Sequence, residues 1–194
     1  MHEILFKYLN RHLAAPISES DRELIKSVFT PFKIRKRHFF LNEGEICKHY
    51  GFIIKGAMRQ YMIDDKGVEH IVHLGLENWW VGDRESWVMR SPSNYYIDAW
   101  ENSELLIVTR EDTARLLQEL PAFGEVLRVL DDRNNIANQK RITSSISSTA
   151  EGRYNDFVSC HPDFLQRFPQ HIIASYLGIT KETLSRIRRQ TLQR

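Results

Sequence analysis

The sequence of 194 residues predicts an α+β protein in which a jelly-roll-like β-roll precedes a long helix and a small all-α segment. Three observations predict this class. Between about residues 32 and 108, short runs of β-branched and aromatic residues alternate with turn signals, as in an all-β barrel or roll. Residues 122–147 follow a rough heptad. Residues 170–190 hold two short helical patterns joined by a glycine.

Two helices are predicted before the roll. The first, "HEILFKYLNRHL", places four apolar residues on one stripe: Ile4, Leu5, Tyr8 and Leu9. In the second, "SESDRELIKSVF", Ser18 can cap the helix with Asp21 as its capping-box partner. The strands of the roll are then predicted in six runs: KIRKRHFFL, GFII, AMRQYMI, VEHIVHL, NYYIDAW and SELLIVT. The intervening "DDKG" predicts a hairpin between the third and fourth runs.

After the roll, "REDTARLLQEL" predicts a short helix that ends before Pro121, and residues 122–147 predict a single long one. The heptad of the long helix consists of Phe123, Leu127, Leu130, Asn134, Ala137 and Arg141. Such a stripe either packs on its own domain or forms a dimer seam. The seam is favoured, because a helix with so few apolar anchors has little other reason to be long, and Asn134 could set its register. "TAEGRYNDFVSC" predicts one further helix.

Composition excludes several classes of protein. No apolar run approaches the roughly 20 residues that cross a bilayer, and the amino terminus lacks the features of a signal peptide, so the cytoplasm is the expected compartment. Two cysteines, Cys47 and Cys160, exclude a four-cysteine cluster within one chain and are expected to be buried, reduced thiols. Residues 166–194 contain six bases and one acid, a net charge of +5, whereas the rest of the chain carries −3. This asymmetry predicts a polyanion-binding carboxy-terminal end.

The segment "QHIIASYLGITKETLSRIRRQ" meets the requirements of a helix-turn-helix. Ala174 is small where the two helices would cross, Gly178 tolerates the positive φ of the turn, and Thr180 can cap the second helix. Apolar residues occupy the predicted inner faces: Ile173, Leu177, Ile179, Leu184 and Ile187.

The second helix of this segment has a polar outward stripe. Its members are Glu182, Ser185, Arg186 and Arg189, with Lys181 beside them. Arg and Lys can bridge guanine O6 and N7, and a carboxylate can accept from cytosine N4, while Arg188 and Arg189 are better placed for phosphates. The alternative is a solvated helix on a core. The joint match of the constrained positions and the local charge favour binding to double-stranded DNA.

At this point the chain resembles the Crp/Fnr transcription regulators, in particular the short forms of Bacteroidetes, and "ITKETLSRI" is similar to the family's recognition helix. The resemblance implies a roll of the cyclic-nucleotide-binding type (1–118), a dimerisation helix (119–146) and a helix-turn-helix domain (147–194). It also implies a homodimer that reads a palindrome, RNA polymerase as a partner, and base contacts from Lys181, Glu182 and Arg186. Half-sites would lie about 34 Å apart.

The chain departs from that family after the recognition helix, because many relatives continue into a β-hairpin wing that touches the DNA backbone. Backbone contacts are then expected from the arginines, from Thr180 and from the start of the first helix at Gln170 and His171. Binding is expected to be weaker and more sensitive to salt than in winged relatives.

The expected phosphate-binding segment of the roll, "VGDRESWVMRSPSNYYIDAW", matches only in part. Gly82 stands where a glycine is needed, but Asp83 replaces a Glu, and Ser93 stands where an Arg is expected. The candidate ligand residues are Gly82, Asp83, Arg84, Arg90, Ser93 and Asn94. The sequence therefore predicts no cofactor and no usual binding of cyclic AMP, and leaves an unidentified small-molecule effector open. Three nearby tryptophans, Trp79, Trp80 and Trp87, are interpreted as core, with ligand stacking as the alternative.

A metal-binding, cupin-like roll with structural tail helices is the second hypothesis. The spacing of the histidines counts against this hypothesis, because His70 and His73 would point to opposite faces of a regular strand. Glu69 and His73 would share a face, but two ligands do not make a metal site. No hydrolase elbow, phosphate loop or zincin motif occurs. The sequence thus predicts no metal and no enzymatic activity.

Overall fold

The computed structural model describes residues 1–13 and 15–192, with side chains to residue 190. Arg194, counted above in the basic end, lies outside the described residues. The helices within this part of the chain are α1 (His2–Asn10), α2 (Glu19–Val28), α3 (Arg84–Met89), α4 (Arg110–Glu119), α5 (Pro121–Ser147), α6 (Ala150–Cys160), α7 (Phe164–Arg167), α8 (Gln170–Tyr176) and α9 (Lys181–Leu192). The strands are β1 (Thr30–Ile34), β2 (Phe39–Leu41), β3 (His49–Lys55), β4 (Met58–Ile63), β5 (Glu69–Gly75), β6 (Trp80–Val81), β7 (Tyr96–Ala99) and β8 (Ser103–Thr109).

The strands form a roll of two four-stranded antiparallel sheets. Their orders are β1-β8-β3-β6 and β2-β7-β4-β5, so β5 is an edge strand of the second sheet. Apolar side chains from both sheets fill the interior, among them Ile53, Met58, Ile97 and Leu105. The predicted α+β class and the roll are thereby confirmed.

Two local details of the amino-terminal half differ from the sequence prediction. In α1 the buried residues are Leu5, Phe6 and Leu9, whereas Ile4 is exposed, because the larger Phe6 takes the place on the core side. The run KIRKRHFFL is two strands, because the chain turns at Arg37, which has a φ of 67°. The capping box of Ser18 and Asp21 is confirmed, as is the hairpin at "DDKG", where Asp64 accepts from the N–H of Val68.

The long helix α5 has the predicted extent, but its heptad stripe faces its own domain. Phe123 is only 2% exposed and joins the core under α1 and α2, and Leu127 and Leu130 pack against the same core. Phe123 is therefore unavailable to a dimer seam, whereas Leu127 and Leu130 are only half-buried, and a seam along the rest of the heptad stays a prediction. From residue 132 to residue 140 every residue is exposed, and Nη1 of Arg133 donates to Nε2 of His12 (2.8 Å).

The carboxy-terminal helices pack on the outer face of the second sheet. Side chains of β4 and β5, such as Tyr61 and Ile71, share one core with Phe157, Phe164 and Ile173 from the helices. The predicted helix after α5 is confirmed as α6, with Thr149 as its N-cap.

The two cysteines differ in exposure. Cys47 is buried, whereas Cys160 is exposed at the end of α6, contrary to expectation, because it lies at the rim of this core. No helix in the described residues combines the length and the apolar character that a membrane span requires.

Candidate nucleic-acid interface

The turn between α8 and α9 closes as a Schellman motif. The N–H of Ile179 donates to the carbonyl of Ala174 (3.0 Å), and the N–H of Gly178 donates to that of Ser175 (3.0 Å). Gly178 has a φ of 64°, and a Cβ built there would meet nothing within 4 Å. The glycine is therefore required by backbone conformation and not by a close neighbour.

The next turn begins α9 with a side-chain cap. The N–H of Thr183 donates to Oγ1 of Thr180 (3.2 Å), as the sequence predicts. On the inner side Leu184 and Ile187 are buried against Ala174 and the aromatic residues of α6 and α7. This packing leaves only one side of α9 open to solvent.

The open side of α9 carries the predicted reading residues. Lys181, Glu182, Arg186 and Arg189 are exposed, while Ser185 and Arg188 are half-buried at the edge of the stripe. Within the described part of the chain, none of the five charged residues forms an ion pair. The stripe thus presents three exposed cations and one carboxylate to solvent, with the half-buried Arg188 at its edge. Such groups can contact bases and phosphates.

The predicted backbone contacts at the start of α8 lie beside a tryptophan of the roll. His171 is exposed, with its ring 6.3 Å from that of Trp100, and Gln170 is half-buried. The structure brings these two residues to the surface but does not add a cation there. Arg167, one turn earlier, is held by Glu101 (2.7 Å) and Glu77 (3.1 Å), whose hydrogen bonds raise its pKa.

Two polar side chains of the predicted phosphate-binding segment are used in local hydrogen bonds. Asp83 is buried and caps α3 by accepting from the N–H of Glu85 (3.0 Å). The hydroxyl of Ser93 exchanges hydrogen bonds with the backbone of Tyr95. Asn94 is exposed. A cavity of about 390 Å³ on the roll is lined by residues 40–41 and 45–49 and by none of the candidate ligand residues.

Neither arginine of this segment faces the roll interior. Arg84 pairs with Asp131 of α5 (2.5 Å), and the side chain of Arg90 is 67% exposed, 3.7 Å from Glu111. The space beside Gly82 is filled by Tyr50, since a Cβ on Gly82 would lie 2.5 Å from the tyrosine ring. Both arginines of the segment are thus directed at acidic side chains, Arg84 at Asp131 and Arg90 at Glu111.

The tryptophans near this segment are structural. Trp87 is buried with its ring 5.5 Å from Tyr50, and Trp80 packs 5.0 Å from Phe52 in the core under α1. Trp79 contacts Phe164 at 5.4 Å and so joins the roll to the carboxy-terminal helices. The interpretation as core is supported for all three.

The prediction that His70 and His73 lie on opposite faces of β5, made from their odd spacing in the sequence, is wrong. The register pairs Gln60 with His73 and Met62 with His70, so both histidines lie on one face, because a bulge at Val72 shifts the alternation. Glu69 lies on the other face and binds Arg59 (2.6 Å). In the described residues no three His, Cys, Asp or Glu side chains are grouped as metal ligands.

Comparisons with known proteins agree with this architecture. The family model of the cyclic nucleotide-binding domain matches residues 31–120. FixK2 from Bradyrhizobium japonicum is 20% identical with a TM-score of 0.75, and the match covers 86% of this chain and 85% of that one. The catabolite activator protein of Thermus thermophilus is 19% identical with a TM-score of 0.55, covering 91% and 84%.

A third solved structure carries the family name in its description. It is a protein from Eubacterium rectale described as a transcriptional regulator of the Crp/Fnr family, 18% identical with a TM-score of 0.65, covering 89% of this chain and 82% of that one. At these identities the likeness is one of fold. No curated protein matches the chain significantly by sequence.

Proposed function

We propose that this chain, whose residues 31–120 are a cyclic nucleotide-binding domain within a Crp/Fnr-type fold, is a sequence-specific DNA-binding regulator of transcription. One observation carries the proposal. The stripe of Lys181, Glu182, Arg186 and Arg189 is exposed on a helix whose other side is buried and whose start is fixed by a capped turn. A rigid helix with an open basic face is what major-groove reading requires.

The regulator acts as a homodimer through the free part of α5. Residues 132–140 are exposed all round, and three large apolar side chains on the helix are open to solvent: Ile136, Ile142 and Ile146. An isolated helix segment of this kind has no core to stabilise it, and a second copy of α5 would supply one. The seam uses the side opposite Phe123 and Leu127. The proposed division is a sensor (1–118), a dimerisation helix (119–146) and a DNA-binding domain (147–194).

DNA binding by this dimer does not depend on a cyclic nucleotide. The support is the filled roll, in which Tyr50 occupies the space beside Gly82 and both nearby arginines point outward. An effector of different chemistry remains compatible with the domain family. RNA polymerase is a proposed partner on the family resemblance alone.

The test is a selection from random duplexes with the purified protein, at moderate salt and without added ligand. We expect enrichment of a two-fold palindrome whose half-sites are about one helical turn apart. The double variant Lys181→Ala/Arg186→Ala is the matched control and is expected to enrich nothing. Failure of the wild type with and without cyclic AMP would contradict the proposal, and enrichment only with cyclic AMP would contradict its ligand-free part.

A further inference from the structure

Strand β5 leaves backbone groups unpaired for two reasons. It is the edge strand of its sheet, so the outward carbonyl of Glu69 and the outward N–H of Ile71 have no neighbouring strand. It also has an extra residue, Val72, at the bulge between the pairs Gln60–His73 and Tyr61–Ile71. Unpaired backbone groups of this kind must find other partners or remain costly.

Residues from two other elements supply those partners. Oγ of Ser175, near the end of α8, accepts from the N–H of Ile71 (3.0 Å) and donates to the carbonyl of Glu69 (3.0 Å). Nη1 of Arg141 on α5 donates to the carbonyl of Val72 (2.7 Å). One helix of the helix-turn-helix and the long helix are therefore both attached to the same strand edge.

The last residue of α8, Tyr176, and the residue that follows the helix, Leu177, extend this attachment. The guanidinium of Arg141 lies over the ring of Tyr176 at 5.2 Å. The carbonyl of Leu177 accepts from Nε of Arg153 (3.1 Å), whose Nη1 donates to the carbonyl of Ser148 at the end of α5 (2.8 Å). Ser175, Tyr176 and Leu177 are named here the α8 anchor.

The α8 anchor differs from the apolar core that also joins the two halves. Apolar burial holds surfaces together without a preferred angle, whereas hydrogen bonds weaken steeply with misalignment. Docking through the anchor leaves the stripe of α9 exposed, so it does not block reading. Its effect is to fix the direction of the recognition helix relative to α5.

We propose that Ser175, Arg141 and Arg153 are positioning residues that set the half-site spacing read by the dimer. This inference rests on the proposed function, since spacing has meaning only for a dimer that reads two half-sites. One added base pair rotates a half-site by about 34° around the DNA axis, because a turn contains about 10.5 base pairs. A recognition helix held at a fixed angle rejects that rotation, and a loosened one tolerates it.

The experiment measures affinity for duplexes that share the selected half-sites but differ in spacing by one and two base pairs. We expect the wild type to prefer one spacing by about tenfold or more, and Ser175→Ala to narrow that preference to about threefold or less, because two hydrogen bonds that fix the direction of α8 are lost. The preference for the half-site sequence stays unchanged, which a general loss of structure would not produce. Ser145→Ala removes a hydroxyl that donates to Ile142 within α5 (2.7 Å) and should keep the wild-type profile.

A second variant covers the event that Ser175→Ala unfolds the domain. Arg141→Met removes the contacts to Val72 and Tyr176, with Arg128→Met, on the solvent side of the same helix, as its control. Wild-type spacing profiles in both Ser175→Ala and Arg141→Met would overturn the inference, as would a wild type that binds its half-sites with equal affinity at every spacing. A wild type that binds no half-site at all would instead be a failure of the proposed function.

Discussion

The phosphate segment of the roll and the recognition helix α9 carry similar residues and use them in opposite ways. In the roll, Asp83 caps a helix and Arg84 pairs with Asp131. In α9, the charges of Lys181 and Arg186 meet no acid within the described part of the chain. The charges of the roll segment serve the fold, while those of α9 stay unpaired within the described residues and are the ones proposed to bind DNA.

The difference teaches that charge count alone does not locate a binding surface. Both segments contain arginines next to acidic residues in the sequence, and the pairing in the folded chain separates them. A charge that already has a partner must lose it before it binds a ligand, which costs affinity. Removing a charge from the roll is therefore expected to lower the free energy of unfolding. Removing one from α9 is expected to weaken DNA recognition.

The largest effect is expected from Arg59, a buried cation of the roll. It donates twice to Asp98 at 2.9 Å, and once to Glu69 at 2.6 Å. Arg59→Met leaves the buried carboxylate of Asp98 unpaired, so the free energy of unfolding should fall by about 3 kcal/mol. Urea denaturation measures this loss. Arg115→Met, which breaks an exposed pair with Glu119, is the control and should leave the midpoint unchanged.

An unchanged unfolding midpoint in Arg59→Met would contradict the assignment of the roll's charges to the fold. A folded variant with lost DNA recognition would do the same, because it would give Arg59 an external role. Loss of folding and loss of DNA recognition can be distinguished on the same purified sample, because circular dichroism measures folding and a binding titration measures recognition.

The second-largest effect is expected from Arg186, as a loss of specificity for the selected DNA sequence. Arg186→Ala removes an exposed side chain from the stripe of α9, so the fold should persist while discrimination between the selected palindrome and random duplex falls. A bidentate arginine–guanine contact corresponds to about 1–3 kcal/mol, roughly fivefold to 150-fold. Arg90→Ala, which removes another exposed arginine, this one from the roll, should leave both affinities unchanged. Equal behaviour of the two variants would break the comparison.

The helix-turn-helix could be predicted from the sequence because each of its positions obeys a local rule. Gly178 is set by one backbone angle, Thr180 by one cap, and Leu184 by helical spacing. The exposed stripe follows from the same spacing. Six runs of the roll were readable in the same way, because period and turn residues are local signals, whereas the break at Arg37 and the two-residue β6 were not.

What could not be predicted depends on contacts between distant segments. A heptad does not say which surface covers it, so the seam prediction included Phe123 although the amino-terminal core buries it and half-buries Leu127 and Leu130. Alternation along β5 fails at Val72, because a bulge depends on the partner strand. The contact of Ser175 with β5 requires that this strand lie at the sheet edge, which only the topology reveals.

The smallest effect is expected from cyclic AMP, and a null result here is informative. A ligand present at 100 times its dissociation constant stabilises the folded state by about 2.7 kcal/mol, so addition at millimolar concentration would reveal any affinity in the micromolar range. We expect no change in melting temperature or in tryptophan emission, because Tyr50 fills the space beside Gly82 and Arg90 points outward. AMP is the control for nonspecific effects. A saturable shift with cyclic AMP alone would show that Arg90 can leave Glu111 for a phosphate, and the roll segment would then resemble α9 in holding charge for an external partner.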